Sequence, residues 1–89
     1  MPTVSYFYGI AISMYFYDHN PPHFHARYGR AKALVRISDG QIIAGELPPV
    51  ATRMVREWSS NRRAELERNW ELGCRGLTLE RIAGPDGQG

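Results

Sequence analysis

Histidine side chains are concentrated in one short segment of the chain. All three, His19, His23 and His25, follow directly after Asp18 and lie within residues 19–25. Imidazole titrates near neutral pH, and its neutral form is a good metal ligand, so such a cluster suits proton transfer, phosphate binding or metal binding. We therefore expect the chemistry of the protein to be concentrated here.

The spacing of these residues favours a metal site. On a strand, residues two apart project from the same face, so His23 and His25 would offer two imidazoles to one ion. Asp18 and His19 precede a pair of prolines that can bring them back toward this pair, and Glu46 is a further candidate ligand. One hypothesis is therefore a divalent metal such as zinc, held by Asp18, His19, His23 and His25.

The same segment also suits a reaction without a metal. In phosphodiester cleavage one histidine accepts a proton, a second donates one, and an arginine such as Arg27 or Arg30 stabilises charge on the phosphate. A third interpretation gives the histidines only hydrogen bonds within their loop. The predicted catalytic residues are His19, His23, His25 and Arg27.

Alternating apolar and polar residues predict strands on both sides of the cluster. A period of two is typical of a strand with one buried face. The segment Asn20-Pro21-Pro22 forms a rigid connector, and Asp39-Gly40 is a dipeptide typical of hairpin turns. The predicted strands cover residues 9–17, 23–28, 31–37, 41–47 and 77–82. Their short connections indicate an antiparallel meander.

A helix is predicted after the sheet. Pro48 and Pro49 can open it, since proline is tolerated in the first helical turn. Residues at helical spacing then form an apolar stripe, namely Val50, Met54, Val55, Trp58, Leu66 and Trp70. The polar residues 59–61 are compatible with a break in the helix, but we favour one long helix that reaches about Cys74.

These elements predict a single α+β domain over residues 1–83, followed by a flexible tail over residues 84–89. A four- to five-stranded antiparallel sheet would pack against the long helix. Hydrophobic residues make up 43% and charged residues 22% of the chain, as in an ordinary globular domain.

Charge and targeting signals limit the class of protein. The chain contains eleven basic and nine acidic residues, so its net charge is small. Such a charge permits RNA or DNA binding but does not favour it. The lone Cys74 excludes an internal disulfide, and the N-terminus lacks the pattern of a signal peptide or a membrane span. We therefore expect a cytoplasmic protein that does not bind membranes.

Further strings accompany the histidine cluster along the chain. After the HNPPHFH string of residues 19–25 come Arg27-Tyr28-Gly29, Gly45-Glu46-Leu47-Pro48, Trp58 and Asn69-Trp70-Glu71. Together they closely resemble a family of small bacterial proteins known only as a domain of unknown function, over nearly the whole chain. This resemblance implies no particular reaction. It does imply a gene neighbourhood. Genes of that family are often adjacent to a gene that encodes another small uncharacterised protein, an arrangement that resembles toxin–antitoxin pairs.

Two hypotheses about function follow. The first is a component of a toxin–antitoxin-like two-protein module, whose histidine-rich loop is its functional surface and whose partner is a small protein from a neighbouring gene. The alternative is a small hydrolytic enzyme, either a ribonuclease or a metal-dependent hydrolase. Replacing His25 with alanine separates them, because loss of activity with partner binding intact favours the enzyme, and loss of association alone favours the module.

Overall fold

The sheet forms from the first half of the chain and two helices form from the second. The computed structural model describes residues 2–85. Within them the strands are β1 (Thr3–Phe7), β2 (Ile10–Ser13), β3 (His23–Tyr28), β4 (Ala31–Arg36) and β5 (Ile42–Gly45), and the helices are α1 (Pro49–Asn61) and α2 (Arg63–Cys74). Each strand pairs antiparallel with its neighbours in sequence, in the order β1-β2-β3-β4-β5. The predicted α+β class and antiparallel meander are confirmed.

Strand β3 lies in the middle of the sheet and carries His23 and His25. Because side chains alternate along a strand, Phe24 and Ala26 point to the opposite face from His25. Both are buried, and the ring of Phe24 meets that of Trp58 in α1 edge to face, with 5.8 Å between ring centroids. The core therefore lies between this face of the sheet and the helices.

The hairpin between β4 and β5 forms at the predicted Asp39-Gly40 turn. The amide of Arg36 donates to the carbonyl of Gln41, and the amide of Gly40 donates to the carbonyl of Arg36, each at 2.8 Å. Gly40 adopts a φ of +71°, which glycine reaches without a steric cost. The Arg36 guanidinium donates two hydrogen bonds to the Asp39 carboxylate and lowers the pKa of Asp39 to about 2.

Trp58 is the central contact between helix and sheet. Its side chain is buried, and its ring lies 5.0 Å from that of Phe7 in β1. The indole Nε1 donates to the carbonyl of Ala83 at 2.9 Å, so the polar atom of this buried ring is paired. The buried residues of α1 are Ala51, Val55, Trp58 and Ser59, whereas Val50 is 55% exposed. The apolar stripe predicted that both Trp58 and Val50 are buried against the sheet. The burial of Trp58 is confirmed, whereas the predicted burial of Val50 is wrong.

The prediction of one long helix is also wrong, because the helical segment is interrupted at Arg62. This residue has a φ of −117° and separates α1 from α2. Just before it, the Ser59 hydroxyl donates to the carbonyl of Arg56 at 3.1 Å, a local bond that competes with regular helix and often bends it. The interruption allows Leu66 of α2 to reach the core, where it is fully buried.

The strand predicted at residues 77–82 does not form, and β1 supplies the fifth strand. Only one backbone bond links this segment to β1, from the amide of Ile82 to the carbonyl of Val4 at 2.8 Å. The side chain of Asn69 holds it instead, donating to the carbonyl of Glu80 at 2.8 Å and accepting from its amide at 2.9 Å. Strand β1 was not predicted. Its register with β2 shifts between residues 3 and 5, and this shift interrupts the alternation of buried and exposed side chains.

Strand β2 is shorter than the predicted strand over residues 9–17. The alternation continues in sequence, but the chain leaves the sheet after Ser13, and Tyr17 turns with a φ of +56°. The amide of Tyr17 then donates to the carbonyl of Gly73 at 3.0 Å, near the end of α2. This bond anchors the loop that carries Asp18.

Neither helix among residues 2–85 is long and apolar enough to cross a membrane. The flexible tail predicted for residues 84–89 stays a prediction, because residues 86–89 lie outside the described part of the chain.

We expect Trp58→Ala to lower the free energy of unfolding by about 3–5 kcal/mol, since it removes a large aromatic ring from the core. Val50→Ala is the matched control, because Val50 lies on the same helix with its side chain exposed, and its effect should stay within about 0.5 kcal/mol. Urea denaturation of both variants measures the difference. Equal effects would contradict this assignment of the buried helix face.

Candidate metal centre

The loop between β2 and β3 is fixed at both ends, and this positions the candidate site. At its start the amide of Tyr17 bonds to α2, and at its end the carbonyl of Pro22 accepts from the amide of Ile37 at 3.0 Å. Between them, the amide of His19 donates to Oδ1 of Asp18 at 2.9 Å. This bond leaves the other carboxylate oxygen, Oδ2, directed toward the histidines of β3.

The imidazole of His23 is buried and held in one orientation. Its side chain is 2% exposed, and its ring lies 5.2 Å from that of Trp70 in α2. The distance from Nδ1 to the carbonyl oxygen of Pro21 is 2.8 Å. A carbonyl oxygen can only accept, so Nδ1 carries a proton and donates, and whenever the ring is neutral its Nε2 has a bare lone pair. Metal-binding histidines are usually oriented by such a bond.

Three potential metal ligands converge in front of this nitrogen. Oδ2 of Asp18 lies 3.0 Å from Nε2 of His23 and 3.6 Å from Nε2 of His25. The three ligand atoms all lie within 4.8 Å of one another. Both nitrogens are buried and have no hydrogen-bond partner among residues 2–85, and the 3.6 Å contact of His25 is electrostatic because it is too long for a hydrogen bond.

A positive charge between His23 and Asp18 would stabilise the pair that they form. Nε2 of neutral His23 and the carboxylate oxygen are both acceptors, so at 3.0 Å they repel each other unless a cation or a proton intervenes. A proton on Nε2 would be poorly directed at Oδ2, since the geometry does not meet that of a hydrogen bond. A metal ion satisfies both atoms at once.

The electrostatics of the other two groups suit metal binding. Burial alone would raise the pKa of Asp18, but the bond from the His19 amide and the interactions with the His23 and His25 side chains outweigh it and lower the pKa below its usual value. Burial lowers the pKa of His25 by more than the Asp18 carboxylate raises it. At neutral pH the carboxylate is therefore ionised and this imidazole is neutral, as metal ligands must be.

The other predicted site residues lie farther from this centre. The side chain of His19 is 88% exposed, and its Nδ1 lies 3.2 Å from Oδ1 of Asp18, outside the group of three. Arg27 is exposed and follows His25 by two residues on β3, so it shares a face with that histidine. Glu46 is not part of the group, and its amide donates to the carbonyl of Lys32 at 3.1 Å.

The sequence did not identify the supporting contacts of the centre. Trp70 was assigned to the core, and its contact with His23 depends on how α2 packs. The ring of Tyr15 lies 4.4 Å from that of His25, in a segment that was expected to be strand. Lys32 was also missed, although the short turn at Gly29 does predict that it pairs with Arg27 across β3 and β4.

We expect the imidazole of His25 to titrate below its usual pKa of 6.5 and Asp18→Asn to lower this pKa further, because the carboxylate is what opposes burial. Since the folded pKa is the lower one, the stability that His25 contributes is present above about pH 6.5 and lost as the pH falls through the folded value. Titration of the imidazole protons by NMR, without metal, measures both effects. A pKa that rises in Asp18→Asn would contradict this description.

Comparisons with known proteins identify a family for this fold and site. Neither the curated proteins nor the solved structures contain a match to the chain. The family model of the domain of unknown function DUF4160 matches residues 9–71, which are more than half of the chain and include Asp18, His23 and His25. The chain therefore belongs to the DUF4160 family.

Proposed function

We propose that Asp18, His23 and His25 bind a divalent metal ion, zinc, and that the protein is a small metal-dependent hydrolase. The observation that carries this proposal is Nε2 of His23, which is buried 3.0 Å from the Asp18 carboxylate oxygen and has no hydrogen-bond partner within residues 2–85. An unpartnered buried polar atom costs about 1–3 kcal/mol, so an occupant that pairs with it is expected.

The separations of the ligand atoms suit zinc. Ligand atoms about 2.0–2.1 Å from a tetrahedral zinc ion lie about 3.3 Å from one another. The two distances from Oδ2 of Asp18 to the imidazole nitrogens, 3.0 and 3.6 Å, bracket this value. Two of the three separations between ligand atoms are therefore close to those of a tetrahedral zinc site.

The number of ligands favours catalysis over a structural role. Structural zinc sites are closed by four protein ligands, whereas catalytic ones have three and leave the fourth position to water or substrate. This group has three members within the described chain, and the side chain of His25 is 34% exposed. A zinc ion held there would lower the pKa of a bound water to about 7 and so would supply a nucleophile for hydrolysis.

Calorimetric titration with zinc tests the proposal. We expect one bound ion in the wild type and a loss of binding in the His23→Ala, His25→Ala double variant, because two of three ligands are removed. Asp18→Asn should weaken binding strongly while it preserves the shape of the side chain. His19→Ala is the matched control and should bind like the wild type, since His19 lies outside the group.

Circular dichroism must show that each variant remains folded. No heat in the wild type beyond that of the double variant would refute the metal centre. Equal losses in His19→Ala and Asp18→Asn would show that the ion binds elsewhere in the loop.

The second candidate is the role in a two-protein module, and the exposed aromatic residues favour it. Large apolar side chains on a surface often mark a contact with another protein, and aromatic residues are enriched in such contacts. Tyr8 and Tyr28 are 59% and 43% exposed, and together with Val50 they line one depression. The partner in this proposal is a small protein encoded by a neighbouring gene.

Co-expression with the product of the adjacent gene tests the module. We expect the two proteins to elute together in size-exclusion chromatography and the Tyr8→Ser, Tyr28→Ser variant to weaken this association. Separate elution of the wild-type proteins would contradict the module. Loss of this association in the His25→Ala variant would extend the contact surface to the histidine-rich loop.

A further inference from the structure

The sheet face opposite the core contains a groove that begins at His25. The groove has a volume of about 590 Å³, which is in the usual range for ligand sites. Across the strands, Ser13, His25 and Leu34 lie side by side, and Arg27 pairs with Lys32 in the next row of the same face. His25 therefore belongs both to the candidate metal centre and to the wall of this groove.

The charge of the groove is positive. Arg27 and Lys32 both line it, and no Asp or Glu is among its lining residues in the described chain. Within residues 2–85 neither cation forms an ion pair, and Arg27 donates one long side-chain hydrogen bond of 3.4 Å to the carbonyl of Gly29. Unpaired cations facing a concave surface attract anionic groups.

The floor of the groove is small and apolar. Ala11, Ala44 and Gly45 line it, so a ligand can approach the backbone of the sheet closely. Residues 25 and 27 of one strand are about 7 Å apart, a distance that an arginine side chain can span. One anionic group can therefore contact Arg27 while it reaches the metal centre at His25.

We propose that this groove binds the phosphodiester backbone of single-stranded nucleic acid. Arginine pairs with phosphate oxygens through two parallel hydrogen bonds, and phosphate contacts need no particular base. The groove extends over a few side chains and suits one or two nucleotides, whereas a duplex would have to bind outside it. The proposal that the groove binds nucleic acid depends only on the groove. The further assignment of the bound nucleic acid as the substrate rests on the proposed hydrolase function.

The hydrolytic step balances with water as the only co-reactant. The oxygen of the water forms a bond to phosphorus as the ester bond to the leaving oxygen breaks. One proton of the water ends on that leaving oxygen. The products are one strand that ends in a phosphate monoester and one that ends in a hydroxyl group.

Fluorescence anisotropy with labelled ten-nucleotide uridine and thymidine oligomers, in EDTA, measures binding without the metal. We expect the Arg27→Ala, Lys32→Ala variant to bind at least about tenfold more weakly than wild type, and its salt slope to fall by about 1.4, because each lost phosphate contact contributes about 0.7 on single strands. Arg53→Ala, Arg63→Ala is the matched control, since it removes the same charge from exposed helix positions outside the groove.

Each outcome decides the proposal. Preference for the uridine or the thymidine oligomer identifies the strand as RNA or DNA, and both results support the groove. Equal loss in the two double variants, or equal binding of a duplex, overturns it. Zinc titration separates the two proposals. If the Arg27→Ala, Lys32→Ala variant retains zinc binding and binds the oligomers as the wild type does, only the groove is refuted. If the wild type does not bind zinc, only the metal centre is refuted.

Discussion

The hydrogen bond from Nδ1 of His23 to the carbonyl of Pro21 is the interaction on which the site depends. It places a proton on Nδ1, so in the neutral ring Nε2 is a bare acceptor, and this nitrogen lies 3.0 Å from a carboxylate oxygen. The ring is buried against Trp70, so bulk water does not pair with that nitrogen. The stability of the surrounding sheet must offset this unfavourable arrangement, which is typical of a functional site.

The fold holds this arrangement between two rigid supports. Strand β3 fixes both histidines at the middle of the sheet, where β2 and β4 bond to it on either side. The Asp18 loop is tied to α2 through the Tyr17 amide and to the end of β4 through the Pro22 carbonyl. Because α2 begins only after the break at Arg62, the helix interruption also determines where Trp70 meets His23. Core packing and site geometry are thus coupled through α2.

Local sequence patterns were sufficient for the elements closest to the site. The alternation of residues 23–28 predicted β3 with the two histidines on one face, and Asp39-Gly40 predicted the hairpin turn. The interruption at Arg62 and the absence of a strand at residues 77–82 were not predicted. Both depend on interactions that residue spacing does not reveal. These are the hydrogen bond of the Ser59 hydroxyl and the two hydrogen bonds between the Asn69 side chain and the Glu80 backbone.

The sequence predicted the segment that contains the candidate site, but not which of its side chains converge. The cluster of histidines after Asp18 pointed to the right segment, yet only the folded loop separates His23 and His25 from the exposed His19. The turn at Gly29 predicts the pair of Arg27 and Lys32, but the groove beside them also requires β2 to pair with β3. Long-range packing, rather than residue type, selects which side chains act together.

A crystal structure of the zinc-soaked protein, with anomalous diffraction recorded at the zinc edge, tests the metal centre most directly. We predict one anomalous peak about 2.0–2.1 Å from Nε2 of His23 and Nε2 of His25, and about 2.0–2.2 Å from Oδ2 of Asp18. A peak coordinated by His19 without His23, or no peak between these three side chains, would contradict the account.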